Sequence, residues 1–142
     1  MTGALWTATA AARAIGAQPA PGDATAWRAT GVSIDSRAVK PGDLFVAIVG
    51  DRLDGHAFVK DAFERGAVAA LVRQTPEGMS PDDPRLLHAA DTLVGLEALA
   101  AAARNRTRAK VVAVTGSVGK TGVKEMLRRA LGALGPCHAS EG

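Results

Sequence analysis

The run Leu44-Phe45-Val46-Ala47-Ile48-Val49 is apolar at every position and is entered through the turn residues Pro41-Gly42-Asp43. A strand with one wet face alternates apolar and polar side chains. One without alternation is buried on both faces, as the strands of a helix-covered parallel sheet are. The run also falls far below the eighteen or so residues needed to cross a bilayer. It predicts a central strand over 44–49 in an α/β sandwich.

The flanking segments fit that architecture. Thr7 is placed to cap a short helix over 8–15 ended by Gly16, and Ala17–Asp23, with Pro19, Pro21 and Gly22, reads as a loop. Trp27–Ile34 is strand-like. The spacing predicts a helix over 56–65, with Ala57, Phe58, Ala62 and Phe63 on one face and Gly66 ending it. Val68–Val72 reads as a second buried strand, Thr75–Pro84 as a surface loop and Leu86–Ala89 as a short strand. Asp91 is the expected N-cap of a helix to about Arg106, and the cations from Arg104 to Lys110 suit a solvated helix end or a linker. Strands alternating with helices predict a largely parallel sheet.

Composition narrows the function classes. A chain of 142 residues suffices for one domain and part of another, with residues 1–108 and 109–142 as the expected division. It is 47% hydrophobic but only 4% aromatic, so alanine, valine and leucine must fill the core, with Trp6 and Trp27 as core or lid residues. The net charge of +3 is spread without aromatic interleaving, which argues against nucleic-acid binding. A single cysteine, Cys137, excludes an intramolecular disulfide and reads as a small apolar filler. Asp82 and Asp83 read as loop solvation. With no positive leader pattern and no long apolar run, the expectation is a cytoplasmic protein without membrane insertion.

A second constraint lies near the end. Val111-Val112-Ala113-Val114, read as a strand, runs into Thr115-Gly116-Ser117-Val118-Gly119-Lys120-Thr121 and then a helix-like segment. Strand, glycine loop and helix form a phosphate cradle: backbone N–H groups converge on the anion, a lysine adds a point charge and a hydroxyl can ligate Mg²⁺. The longer G-x-x-x-x-G-K-[ST] form would need glycine where Val114 stands, so the loop is the compact G-x-x-G-K-T version. Gly116, Ser117, Val118, Gly119, Lys120, Thr121 and Gly122 are the candidate ATP-binding residues, with Lys120 and Thr121 acting on the phosphates and Thr121 as metal ligand.

Taken alone, Asp35-Ser36 is a turn or cap and His56 a helix-start residue. The order Ser33-Ile34-Asp35-Ser36-Arg37, Lys40-Pro41-Gly42-Asp43-Leu44-Phe45-Val46-Ala47, Asp54-Gly55-His56, Gly66-Ala67 and the phosphate loop resembles the Mur ligases of peptidoglycan synthesis. Val123-Lys124-Glu125-Met126 and His138-Ala139-Ser140-Glu141-Gly142 look most like the branch that adds D-alanyl-D-alanine to UDP-N-acetylmuramoyl tripeptide. Alternatives are the branch adding the third amino acid, a small P-loop NTPase, and a non-enzymatic UDP-sugar-binding module.

The resemblance implies a UDP-precursor-binding N-terminal domain, then the first strand, P-loop and helix of an ATPase domain. It implies ATP and Mg²⁺, an acyl phosphate attacked by the amine of D-alanyl-D-alanine, and a monomeric enzyme. Ile34, Ser36, Asp51, Arg52 and Leu53 are the implied uridine or diphosphate contacts, of which only Ser36 matches in residue type. One departure is Gly122, where the family often has a hydroxyl residue; it costs about 1 kcal/mol of helix propensity. Further metal ligands and the amine-binding domain are expected downstream, so these residues alone are not expected to complete ligation.

Overall fold

The computed structural model describes residues 3–17 and 27–140. Most of the loop read over 17–23, and the last two residues of the 138–142 stretch, lie outside them. The chain divides into two compact units, Met1–Thr107 and Arg108–Gly142.

In the first unit, β1 (Trp6–Thr7) leads into α1 (Ala8–Ala14). Thr7 caps α1, its Oγ1 accepting the Ala10 N–H at 3.2 Å. The strand-like stretch 27–34 is broken at Thr30 into β2 (Arg28–Ala29) and β3 (Gly31–Ser33). The break lets one stretch serve two sheets: β2 pairs antiparallel with β1, while β3 pairs parallel with β4 (Asp43–Val46). Beyond β4 come α2 (Val59–Glu64), β5 (Ala69–Val72), β6 (Leu86–His88) and α3 (Thr92–Arg106). The main sheet is parallel throughout, in the order β3-β4-β5-β6.

The two central strands are buried at every position, as continuous apolarity requires. Their side chains divide by parity. Leu44, Val46, Ala69 and Leu71 join Trp6, Ala11, Trp27 and Leu99 in one core, whereas Phe45, Ala70 and Val72 join Val59, Ala62 and Leu86 in another. Both tryptophans are therefore core residues.

Two boundaries and two side-chain assignments differ from the sequence reading. β4 stops at Val46, because the Ile48 N–H turns back to the Val46 carbonyl at 3.0 Å and leaves the ladder. The helix read over 56–65 begins instead as a 3₁₀ turn, Gly55–Phe58. Its tighter winding shifts the phase, so Val59 and Ala62 are buried while Ala57 and Phe58 are exposed. Arg106 is not simply solvated: its guanidinium stacks 4.0 Å from the Trp6 ring centroid and donates to the Leu5 carbonyl at 3.1 Å. Asp83 is more than loop solvation, since it accepts from Arg85 Nη2 at 2.7 Å and from the Arg85 backbone at 3.0 Å.

In the second unit, Val111–Val114 is not a strand. A parallel strand exists only through a neighbour that completes its ladder, and among the described residues none pairs with this run. Helix α4 (Lys120–Gly132) follows the glycine loop. Cys137 is exposed rather than a filler.

Candidate functional site

The two groups of candidate residues lie in different units, and each has its own geometry. In the first unit they gather at the C-terminal edge of the parallel sheet, where open α/β sheets bind ligands. Ile34 follows β3 directly and is 60% exposed. Asp35 caps a 3₁₀ turn, Ser36–Ala38, by accepting the Arg37 N–H at 2.9 Å. Ser36 is buried at the first position of that turn, so little of it is presented to solvent.

Arg37 folds back on the same carboxylate, with Nε to Oδ1 at 3.0 Å and Nη2 to Oδ2 at 2.8 Å. The side-chain hydrogen bond from Arg37, then its backbone N–H, holds Asp35 down to about 2. A depressed carboxylate contributes stability above its unfolded value near 3.8, and loses it as pH falls toward 2. The pair is solvent-facing, so the contribution is small. In an NMR titration Asp35 is expected to titrate near 2, and Arg37→Ala to return it toward 3.8; an unchanged midpoint in the variant would remove Arg37 as the cause.

The loop beyond β4 supplies Asp51, Arg52 and Leu53, all exposed, with Leu53 at 67%. Their loop is closed at its base by the bridge between Val49 and Asp54 and by the Gly50 N–H on the Leu53 carbonyl at 2.9 Å. Gly55 follows because nothing larger fits: a Cβ there would stand 2.8 Å from the backbone N and O of Ile48.

Beside this loop lies a depression lined by Ile48, Val49, Arg73, Asp91, Thr92 and Leu93. Thr92 seats the start of α3 there through its hydroxyl, which donates to the Ala47 carbonyl at 2.9 Å. Asp91 accepts the Leu93 and Val94 N–H groups. Sequence reasoning found Asp91 as a cap but not this neighbourhood; a cap following the end of a buried parallel strand was the available signal. Ile34, Ser36 and 51–53 thus share one sheet edge with residues that spacing did not single out.

In the second unit, Gly116 and Gly119 have φ of 145° and 80°, values that side-chain-bearing residues rarely adopt. The helical ladder starts with the Val123 N–H on the Gly119 carbonyl at 3.0 Å. The N–H groups of Lys120, Thr121 and Gly122 precede it, as first-turn donors do. Lys120 Nζ bends back to the Gly116 carbonyl across the loop. Ser117, Val118, Thr121 and Gly122 are exposed, Val118 at 92%. First-turn donors, a lysine folded over the same loop and an accessible threonine hydroxyl fit a Mg²⁺-bound nucleotide phosphate. Among the described residues no cluster of histidine, cysteine and carboxylate side chains offers a separate metal site, and no helix is long and apolar enough to cross a membrane.

Residues 28–117 match the model of the Mur ligase family, catalytic domain. The chain belongs to the Mur ligase family. This Mur ligase chain is 38% identical over 113 residues to the UDP-N-acetylmuramoyl-tripeptide–D-alanyl-D-alanine ligase of Bacillus subtilis, covering 79% of the chain and 24% of that protein. It is 44% identical over 105 residues to the UDP-N-acetylmuramoyl-L-alanyl-D-glutamate–2,6-diaminopimelate ligase of Syntrophomonas wolfei, covering 72% and 21%. Among solved structures it resembles MurF from Acinetobacter baumannii with a TM-score of 0.74 at 34% identity, over 92% of this chain and 28% of that one. It also resembles MurF from Thermotoga maritima, solved with ADP, with a TM-score of 0.57 at 34% identity, over 72% and 23%. The chain spans about a quarter of the length of the curated relatives it matches.

Proposed function

We propose that these residues are the N-terminal part of an ATP-dependent ligase joining D-alanyl-D-alanine to UDP-N-acetylmuramoyl tripeptide. Residues 1–108 would hold the UDP-linked precursor, and 109–142 would open the nucleotide-binding domain. The observation carrying this branch is the likeness to Acinetobacter baumannii MurF at 34% identity over 92% of the chain. A diaminopimelate-adding ligase structure reaches only 19% identity and a TM-score of 0.53, a likeness of fold alone. The second reading, a ligase adding the third amino acid, rests on the 44% identity to the Syntrophomonas wolfei protein. Nucleotide-linked substrates suit a cytoplasmic enzyme, and a monomer is the expected state.

At the sheet edge, Ile34 and Leu53 offer exposed apolar surface for a uracil ring. Arg52 supplies a cation for diphosphate, with Ser36 and Asp51 as polar neighbours. At the phosphate loop, the first-turn N–H groups and Lys120 would hold the β- and γ-phosphates, and Thr121 would ligate Mg²⁺. ATP supplies the phosphoryl group that activates a carboxylate, and Mg²⁺ neutralises its charge. Lys120 and the backbone donors stabilise that charge without reorganising, which is where such sites gain most of their rate. Ser117, Val118 and Gly122 would contribute backbone here.

The decisive measurement is ADP release by the protein containing these residues. Release is expected with tripeptide precursor plus D-alanyl-D-alanine. Release only with dipeptide precursor plus a diamino acid would transfer the chain to the other branch.

A further inference from the structure

His56 is buried and the proposed reaction does not use it. Its Nε2 lies 2.8 Å from the backbone nitrogen of Arg73 and 3.4 Å from that of Gln74, at the end of β5. A backbone N–H can only donate, so Nε2 is the acceptor and the ring proton sits on Nδ1. Nδ1 faces Asp54 Oδ1 at 2.5 Å, and the same oxygen accepts the backbone N–H of residue 56 at 2.9 Å. Accepting that backbone N–H, and then the imidazole, also lowers Asp54 below its ordinary value.

Asp54 is the closing residue of the 49–54 loop, through its bridge to Val49. The loop therefore has two attachments. One is the covalent exit from β4, reinforced by the Gly55 N–H on the Ile48 carbonyl at 2.9 Å. The other runs from Asp54 through the imidazole to the end of β5. A short exposed loop ordered by two sheet strands presents Asp51, Arg52 and Leu53 in one arrangement, whereas one held at a single strand samples many.

We infer that His56, locked as the Nδ1–H tautomer, is a positioning residue that ties the 49–54 loop to β5 and so sets the geometry in which that loop meets the uridine diphosphate part of the substrate. The substrate half of this inference rests on the function proposed above; the anchoring half does not.

Two substitutions divide the imidazole's roles. His56→Gln places an amide oxygen near the Nε2 position and keeps an acceptor for the Arg73 N–H. His56→Asn keeps a donor toward Asp54 but leaves that N–H unpaired. The backbone N–H of residue 56 still reaches Asp54 in both.

In the 142-residue chain, long-range ¹H–¹⁵N spectra are expected to show a protonated Nδ1 and a bare Nε2 on His56; the opposite tautomer, or averaging between the two, overturns the anchor without any variant. Amide exchange at Arg73 and Gly50 is expected to stay within about twofold of wild type in His56→Gln and to rise roughly tenfold or more in His56→Asn. Equal exchange in the two variants overturns it. Titrated with UDP, His56→Gln is expected to bind like wild type and His56→Asn about tenfold more weakly. Equal affinity of wild type and His56→Asn overturns the positioning role. A wild-type chain that ignores UDP overturns the substrate half, while the tautomer and exchange results still decide the anchor.

Discussion

Phe45→Ala is expected to destabilise the first unit by about 3–5 kcal/mol, the range for removing a buried phenyl ring when its surroundings cannot collapse. The ring is 1% exposed and packs among Ala47, Val59, Ala62, Ala70 and Val72. Apart from Leu86, the buried members of this cluster are small or β-branched, and most sit on sheet strands and a helix held by their own hydrogen bonds, so the hole stays open. Domains of this size have only about 5–15 kcal/mol in hand. Urea unfolding should show a midpoint far below wild type with an unchanged slope. Phe58→Ala is the control, since that ring is 38% exposed and should cost under about 1 kcal/mol. Comparable losses at the two positions would mean that the 3₁₀ turn does not set the phase of α2 described above.

Lys120→Ala is expected to weaken Mg·ATP binding by roughly 10- to 100-fold, the worth of a charged hydrogen-bond donor on a phosphate. The ammonium is already folded over the loop onto the Gly116 carbonyl, so little ordering is required when phosphate takes that place. Calorimetry on the 142-residue chain would read the loss, with the fold checked by circular dichroism. Lys124→Ala serves as a comparison, because Lys124 Nζ donates to the Ser140 carbonyl at 2.6 Å, away from the loop. Equal affinity of wild type and Lys120→Ala for Mg·ATP would remove Lys120 from the phosphate site.

Much of this was legible in the residue order because the signals were local. An apolar run with no alternation means two buried faces, and 43–46 and 69–72 have them. Thr7, Asp35 and Asp91 are caps by side-chain chemistry, and each accepts the hydrogen bonds that chemistry predicts. Failures came where a distant partner decides. Val111–Val114 has strand composition but no neighbouring strand among the described residues. Arg106 has the composition of a solvated helix end, yet finds the Trp6 ring, a contact between positions a hundred residues apart that periodicity cannot reveal.

The Asp54-Gly55-His56 triplet marks the same division. Its residue types alone specify a capped turn, because an aspartate two residues before a backbone N–H can cap it wherever it occurs. The need for glycine comes from the Ala47–Ile48 backbone passing within 3 Å of where a Cβ would be. The need for histidine comes from the Arg73 N–H, seventeen residues away, at the end of the next strand. Short-range chemistry thus accounts for the caps, the buried strands and the glycine loop. The meeting of Ile34, the 51–53 loop and the His56 anchor at one sheet edge arises from strand order, since hydrogen bonding β3, β4 and β5 side by side brings together segments the chain keeps apart.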